Sequence, residues 1–84
     1  MITSRQNRLL KFLLSRKEYV TLLKIAEYLA VSEKTVQRDL RLLEPWLAEW
    51  KIAIDKRTGA GVILSADNIT DLLYLDQLLS LIHI

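Results

Sequence analysis

The stretch Thr21–Leu43, TLLKIAEYLAVSEKTVQRDLRLL, decides how this chain folds. Ile25, Ala26 and Leu29 follow helical spacing; after a short break, Val36, Leu40, Leu43 and Leu47 follow it again. The pattern predicts two short amphipathic helices, the first over about residues 22–29, with a tight turn through Ala30 and Val31. Thr21 stands at the N-cap of the first. Ser32 stands at the N-cap of the second, its hydroxyl placed to accept from the amide of Thr35 or Lys34. With the apolar positions turned inward, Lys34, Thr35, Gln37, Arg38 and Arg41 have only the outside left. This layout predicts a helix-turn-helix, a device that sets one helix in the major groove of double-stranded DNA. An outer face mixing Lys and Arg with Gln and Thr offers phosphate clamps and base-edge readers together.

Working outward, Thr3-Ser4-Arg5-Gln6 has the form of a capping box, and Leu9, Leu10, Leu13 and Leu14 share one face. They predict a first helix over about residues 4–16, with Glu18-Tyr19-Val20 as a short link. Pro45 lacks an N–H and pushes Glu44 from helical dihedrals, so the third helix is expected to end or kink near Glu44. A further turn then carries Trp46, Leu47 and Trp50. Two β-leaning runs, residues 51–55 and 62–64, flank Lys56-Arg57-Thr58-Gly59-Ala60-Gly61 and predict a hairpin with Lys56 and Arg57 at its tip. Both glycines of the chain fall in that loop.

From Asp67-Asn68, either of which can cap, a last helix is expected, with Leu72, Leu75, Leu79 and Ile82 as a stripe widened by Leu73, Leu78 and Leu81. So broad a stripe has to pack on this domain, on a twin, or on something C-terminal. The expected fold is mainly α with a small β-hairpin: a winged helix-turn-helix, a three-helix bundle plus wing, with an extra C-terminal helix. Residues 1–66 form the expected DNA-binding domain, and residues 67–84 a helix for dimerisation or for linkage to a missing domain.

Composition narrows the classes. The 84 residues are 51% apolar, which is enough for one packed core and excludes a disordered chain. With no cysteine, there is neither a disulfide framework nor a thiolate metal site. Arg5, Arg8 and Lys11 interrupt any signal peptide, and no run approaches the roughly 20 apolar residues of a membrane span. A cytoplasmic protein is expected. All twelve Lys and Arg lie in residues 1–66 beside seven acids, giving +5, whereas residues 67–84 carry three acids and no base. A basic body with an acidic, apolar tail suits polyanion contact in front and packing behind.

At this point the sequence resembles a known group. VSEKTVQRDLRLLE (residues 31–44) is similar to the recognition-helix segment of the deoxyribose-operon-repressor family of bacterial sugar-operon regulators. SRQNRLLKFLLSRKEYVTLLKIAEYLAVS and KRTGAGVIL resemble the N-terminal domain of larger activators and antiterminator-like proteins that carry phosphotransferase-system regulation domains. The resemblance covers residues 3 to about 65. It implies that Ser32, Lys34, Thr35, Gln37, Arg38 and Arg41 face DNA, and that Lys56, Arg57 and Thr58 touch phosphate or the minor groove from the wing. It also implies additional C-terminal regulatory domains beyond this chain. Two positions depart from the pattern: Ala30 stands where such turns place Gly, and Pro45 interrupts the long third helix.

Arg38 is the first choice for base readout, since Arg is the commonest bidentate reader of guanine. Lys34, Lys56 and Arg57 suit phosphates; Gln37 and Thr35 suit either role. Asp39 is expected to pair with an Arg or Lys inside the domain. Trp46 and Trp50 are expected to pack the helix on the wing rather than stack on bases, and Tyr19, Tyr28 and Tyr74 belong to no motif. His83, alone near the end, receives no role. Gly59-Ala60-Gly61 lacks the spacing and the Lys-Ser/Thr of a phosphate-binding loop, and no catalytic set converges. No catalytic residue, cofactor or metal is therefore expected, and the partners are double-stranded DNA and, through residues 69–84, a possible homodimer. Two alternatives keep the fold and change the context: a DNA-binding regulatory domain of a bifunctional enzyme, similar to biotin-ligase repressors, or a winged helix used for protein contact.

Overall fold

A computed structural model describes residues 2–82, and their side chains through Leu81. Ile82 of the expected stripe, as a side chain, and His83 lie outside the described residues. Six elements follow one another: α1 (Ser4–Leu14), α2 (Leu22–Leu29), α3 (Glu33–Ala48), β1 (Ile52–Arg57), β2 (Gly61–Ala66) and α4 (Ile69–Ile82). Mainly helical with one antiparallel hairpin, this is the expected winged helix-turn-helix with an extra C-terminal helix.

Each of the first three helices starts on a hydroxyl. Thr3 and Gln6 close the capping box: the Thr3 side chain accepts from the Gln6 amide at 3.0 Å, and the Gln6 side chain accepts from the Thr3 amide at 3.0 Å. Thr21 caps α2 and Ser32 caps α3. α1 stops two residues short of expectation, where the Ser15 hydroxyl donates to the Phe12 carbonyl at 2.7 Å. Between α2 and α3, Ala30 takes the left-handed conformation, φ 58° and ψ 45°, that glycine adopts without cost.

Pro45 does not end α3. The helix runs through it to Ala48. Leu43 and Leu47 are buried on the inner side, whereas Pro45 and Arg41 are exposed, so the backbone bond that Pro45 forfeits lies on the side that water can serve. Core burial on one face outweighs a local breaker on the other.

The strands are longer than the sequence suggests. β1 and β2 pair from Ile52↔Ala66 to Arg57↔Gly61, leaving Thr58-Gly59-Ala60 as the turn. Lys56 and Arg57 thus lie in β1 and not at the tip. Val20, expected as mere link, bridges Val62 and adds a third edge to the wing, with backbone bonds of 2.8 and 2.9 Å. The extension follows from that distant pairing, which no local pattern reveals.

One core collects Leu9, Leu10 and Leu13 of α1, Ile25 and Leu29 of α2, Val36, Leu40, Leu43 and Leu47 of α3, and Ile52, Val62 and Leu64 of the wing. Leu75 and Leu79 of α4 join it at full burial. α4 starts on Asn68, whose side-chain oxygen accepts from the Thr70 amide at 2.9 Å, and it packs on α1 and β2. Trp46 and Trp50 are half-buried against the core, as expected of packing residues. Their further neighbour is α4 as well as the wing: the Trp50 ring lies 5.3 Å from that of Tyr74.

Candidate nucleic-acid interface

α3 sorts its side chains by burial. Val36, Asp39, Leu40, Leu43 and Leu47 point inward. Lys34, Gln37, Arg38 and Arg41 are exposed, and none of the four joins an ion pair among the described residues. Successive residues turn by about 100° around the axis, which puts Lys34, Arg38 and Arg41 on the line most distant from the core. Among the described residues, these three unpaired cations make the outward ridge a cationic surface.

Asp39 does what the sequence suggests. Its Oδ2 accepts from Arg5 Nε at 2.6 Å, and its Oδ1 accepts from Arg5 Nη2 at 3.1 Å and from Gln6 Nε2 at 3.3 Å. Buried at 1% exposure, it bolts the middle of α3 to the start of α1. The Arg5 hydrogen bond holds the carboxyl below its ordinary value against the opposing pull of burial.

The structure divides the nine expected site residues into three groups. Gln37, Arg41, Lys56, Arg57 and Thr58 line one groove of about 660 Å³ between α3, the start of α2 and the wing. Lys34 and Arg38 stand outside it on the ridge. Ser32 and Thr35 are first of all structural: Ser32 Oγ accepts from the Thr35 amide at 3.1 Å and lies 3.0 Å from Thr35 Oγ1. Strand alternation separates the wing cations. Lys56 reaches Glu44 of α3 at 3.3 Å, and Arg57 lies over the Tyr19 ring, 4.7 Å from its centre. The Tyr19 hydroxyl donates to the Asp55 carboxylate, which raises the phenol above its ordinary value.

Thr21, Leu23 and Glu33 also line the groove, and sequence reasoning passed them over. Glu33 alone had a signal, since it follows the cap of the third helix. Gly61 sets how tightly the groove closes. A Cβ there would overlap the Val20 carbonyl and the Thr21 amide, so the missing side chain lets the wing press on the start of α2.

Three helices, a wing and an outward cationic third helix define the class: a winged helix-turn-helix domain. The family model described as HTH domain matches residues 5–63, most of the chain, and the chain belongs to that family. It carries a DNA-binding helix-turn-helix domain. No curated protein and no solved structure matches it. Among the described residues, no group of acidic or histidine side chains is placed to hold a metal ion, and no helix is long and apolar enough to cross a membrane.

Proposed function

We propose that this domain binds double-stranded DNA sequence-specifically, as the N-terminal part of a cytoplasmic bacterial transcription regulator of a sugar-utilisation operon. The observation that carries the reading is the free ridge of Lys34, Arg38 and Arg41 on a helix fixed from behind by Asp39. Similarity of residues 31–44 to sugar-operon repressors supports the operon assignment, and similarity of the wing to activators with phosphotransferase-system domains supports regulatory domains after α4.

In this reading the Lys and Arg residues displace counterions from phosphates and set the register, while α3 enters the major groove. Arg38 reads a base edge; Lys34, Lys56, Arg57 and Thr58 hold phosphates; Gln37, Arg41, Thr35 and Ser32 complete the face. Lys56 exchanges Glu44 for a phosphate, an exposed pair whose loss is cheap. Exposed Ile69, Leu73 and Leu81 on α4 support a homodimer through that helix.

Titration against duplex from the region upstream of the protein's own gene, at several salt concentrations, tests the proposal. With about six phosphates contacted, log K falls against log[salt] with a slope near −5. Arg38→Ala is expected to cost about 1–3 kcal/mol on the specific duplex and little on a scrambled one. Arg57→Ala weakens both alike. Equal losses on both duplexes for Arg38→Ala would remove that residue from base readout.

A further inference from the structure

The groove between α3 and the wing holds one residue whose charge opposes that of its rim. Arg41, Lys56 and Arg57 make its rim cationic, and Glu33 places a carboxylate among them. Glu33 is exposed and has no side-chain hydrogen bond or ion pair among the described residues. It is the first residue of α3, directly after the Ser32 cap. Gln37 and Arg41 follow at intervals of four, so the three side chains form one row along the wing-facing flank of the helix.

A free carboxylate facing a polyanion weakens contact with every phosphate it approaches. It gains only where DNA offers a donor, and the donors in the major groove are base amino groups. The first turn of a recognition helix is the part that reaches base edges. We propose, on the footing that this face reads DNA, that Glu33 is a specificity-determining residue. Its carboxylate accepts a hydrogen bond from the N4 amino group of a cytosine, and it repels duplexes that place the acceptor atoms of a guanine or thymine at that position. Gln37 and Arg41 continue the row over the adjacent bases.

A carboxylate in the first turn also complements the helix dipole, and that role predicts no base preference at all. The two are separated by selecting binders from a randomised duplex library with the native chain, Glu33→Gln and Glu33→Ala, each checked for folding by thermal melting. The native chain is expected to select cytosine at one position. Glu33→Ala flattens that preference from about tenfold to under about twofold while tightening binding to scrambled duplex, and Glu33→Gln moves it toward adenine. A uniform change in affinity for all duplexes with the native preference intact overturns the role of Glu33 and leaves the DNA-binding reading standing. Absence of any duplex selection by the native chain overturns both.

Discussion

Asp39 shows how one residue links stability to the presentation of a surface. Its side chain is 2% exposed while that of its partner Arg5 is 41% exposed, and this asymmetry fixes what each loss costs. Arg5→Ala leaves a buried charge with Gln6 as its remaining donor, at an expected cost of about 2–3 kcal/mol. Asp39→Asn leaves a half-exposed guanidinium that water can serve, and costs about 1 kcal/mol. Urea midpoints of the two variants check the order. Because the folded carboxyl titrates below its ordinary value of 3.8, its stabilisation is complete above that value. It is lost as pH falls through the lower folded value. The native chain therefore weakens in acid through Asp39, Asp39→Asn lacks that component, and Arg5→Ala shrinks it, because the largest cause of the lowered carboxyl is gone while burial still opposes it. Melting curves between pH 2 and pH 7 read all three.

Among the elements, those whose signals are local were legible. α2 falls on residues 22–29 because its apolar spacing, its Thr21 cap and the turn at Ala30 all lie inside a dozen residues. The outer face of α3 was legible for the same reason: burial of Val36 and Leu40 leaves Lys34, Arg38 and Arg41 no other direction. Signals that depend on distant partners were not. Pro45 reads as a breaker until Leu43 and Leu47 are seen anchored in the core. The strand ends, the place of Val20 and the groove walls Thr21 and Leu23 depend on how the wing docks. Gly61 is the hinge of that docking. Gly61→Ala is expected to cost more than about 2 kcal/mol and to weaken duplex binding, because the clash is with backbone that cannot rotate away. Gly59 has φ 84° but open space around it, so Gly59→Ala costs only about 1 kcal/mol and leaves the groove intact. Thermal melting beside duplex titration separates the two.

At the scale of the whole molecule, charge and packing are divided between opposite ends of the sequence. α4 brings Asp71 and Asp76 and no base, and it lies on α1 and β2, so its acids are kept off the outer ridge of α3. Its attachment is specific: Asn7 Nδ2 donates to the Leu79 carbonyl at 3.1 Å, Lys11 Nζ donates to Ser80 Oγ at 3.1 Å, and Trp50 meets Tyr74. Leu75 and Leu79 spend the inner face on this core, and Ile69, Leu73 and Leu81 remain outside at 72%, 59% and 70% exposure. One helix thus presents two faces that separate substitutions distinguish. Leu79→Ala opens a cavity beside α1 and is expected to lower stability by about 2–5 kcal/mol, seen in urea unfolding. Leu73→Asp removes nothing from the core and is expected to stay within about 0.5 kcal/mol of the native chain. If two copies meet through α4, Leu73→Asp also shifts sedimentation to the monomer and abolishes the advantage of a duplex with two half-sites one helical turn apart over a duplex with one. An unchanged sedimentation profile would assign the outer face of α4 to something other than a twin.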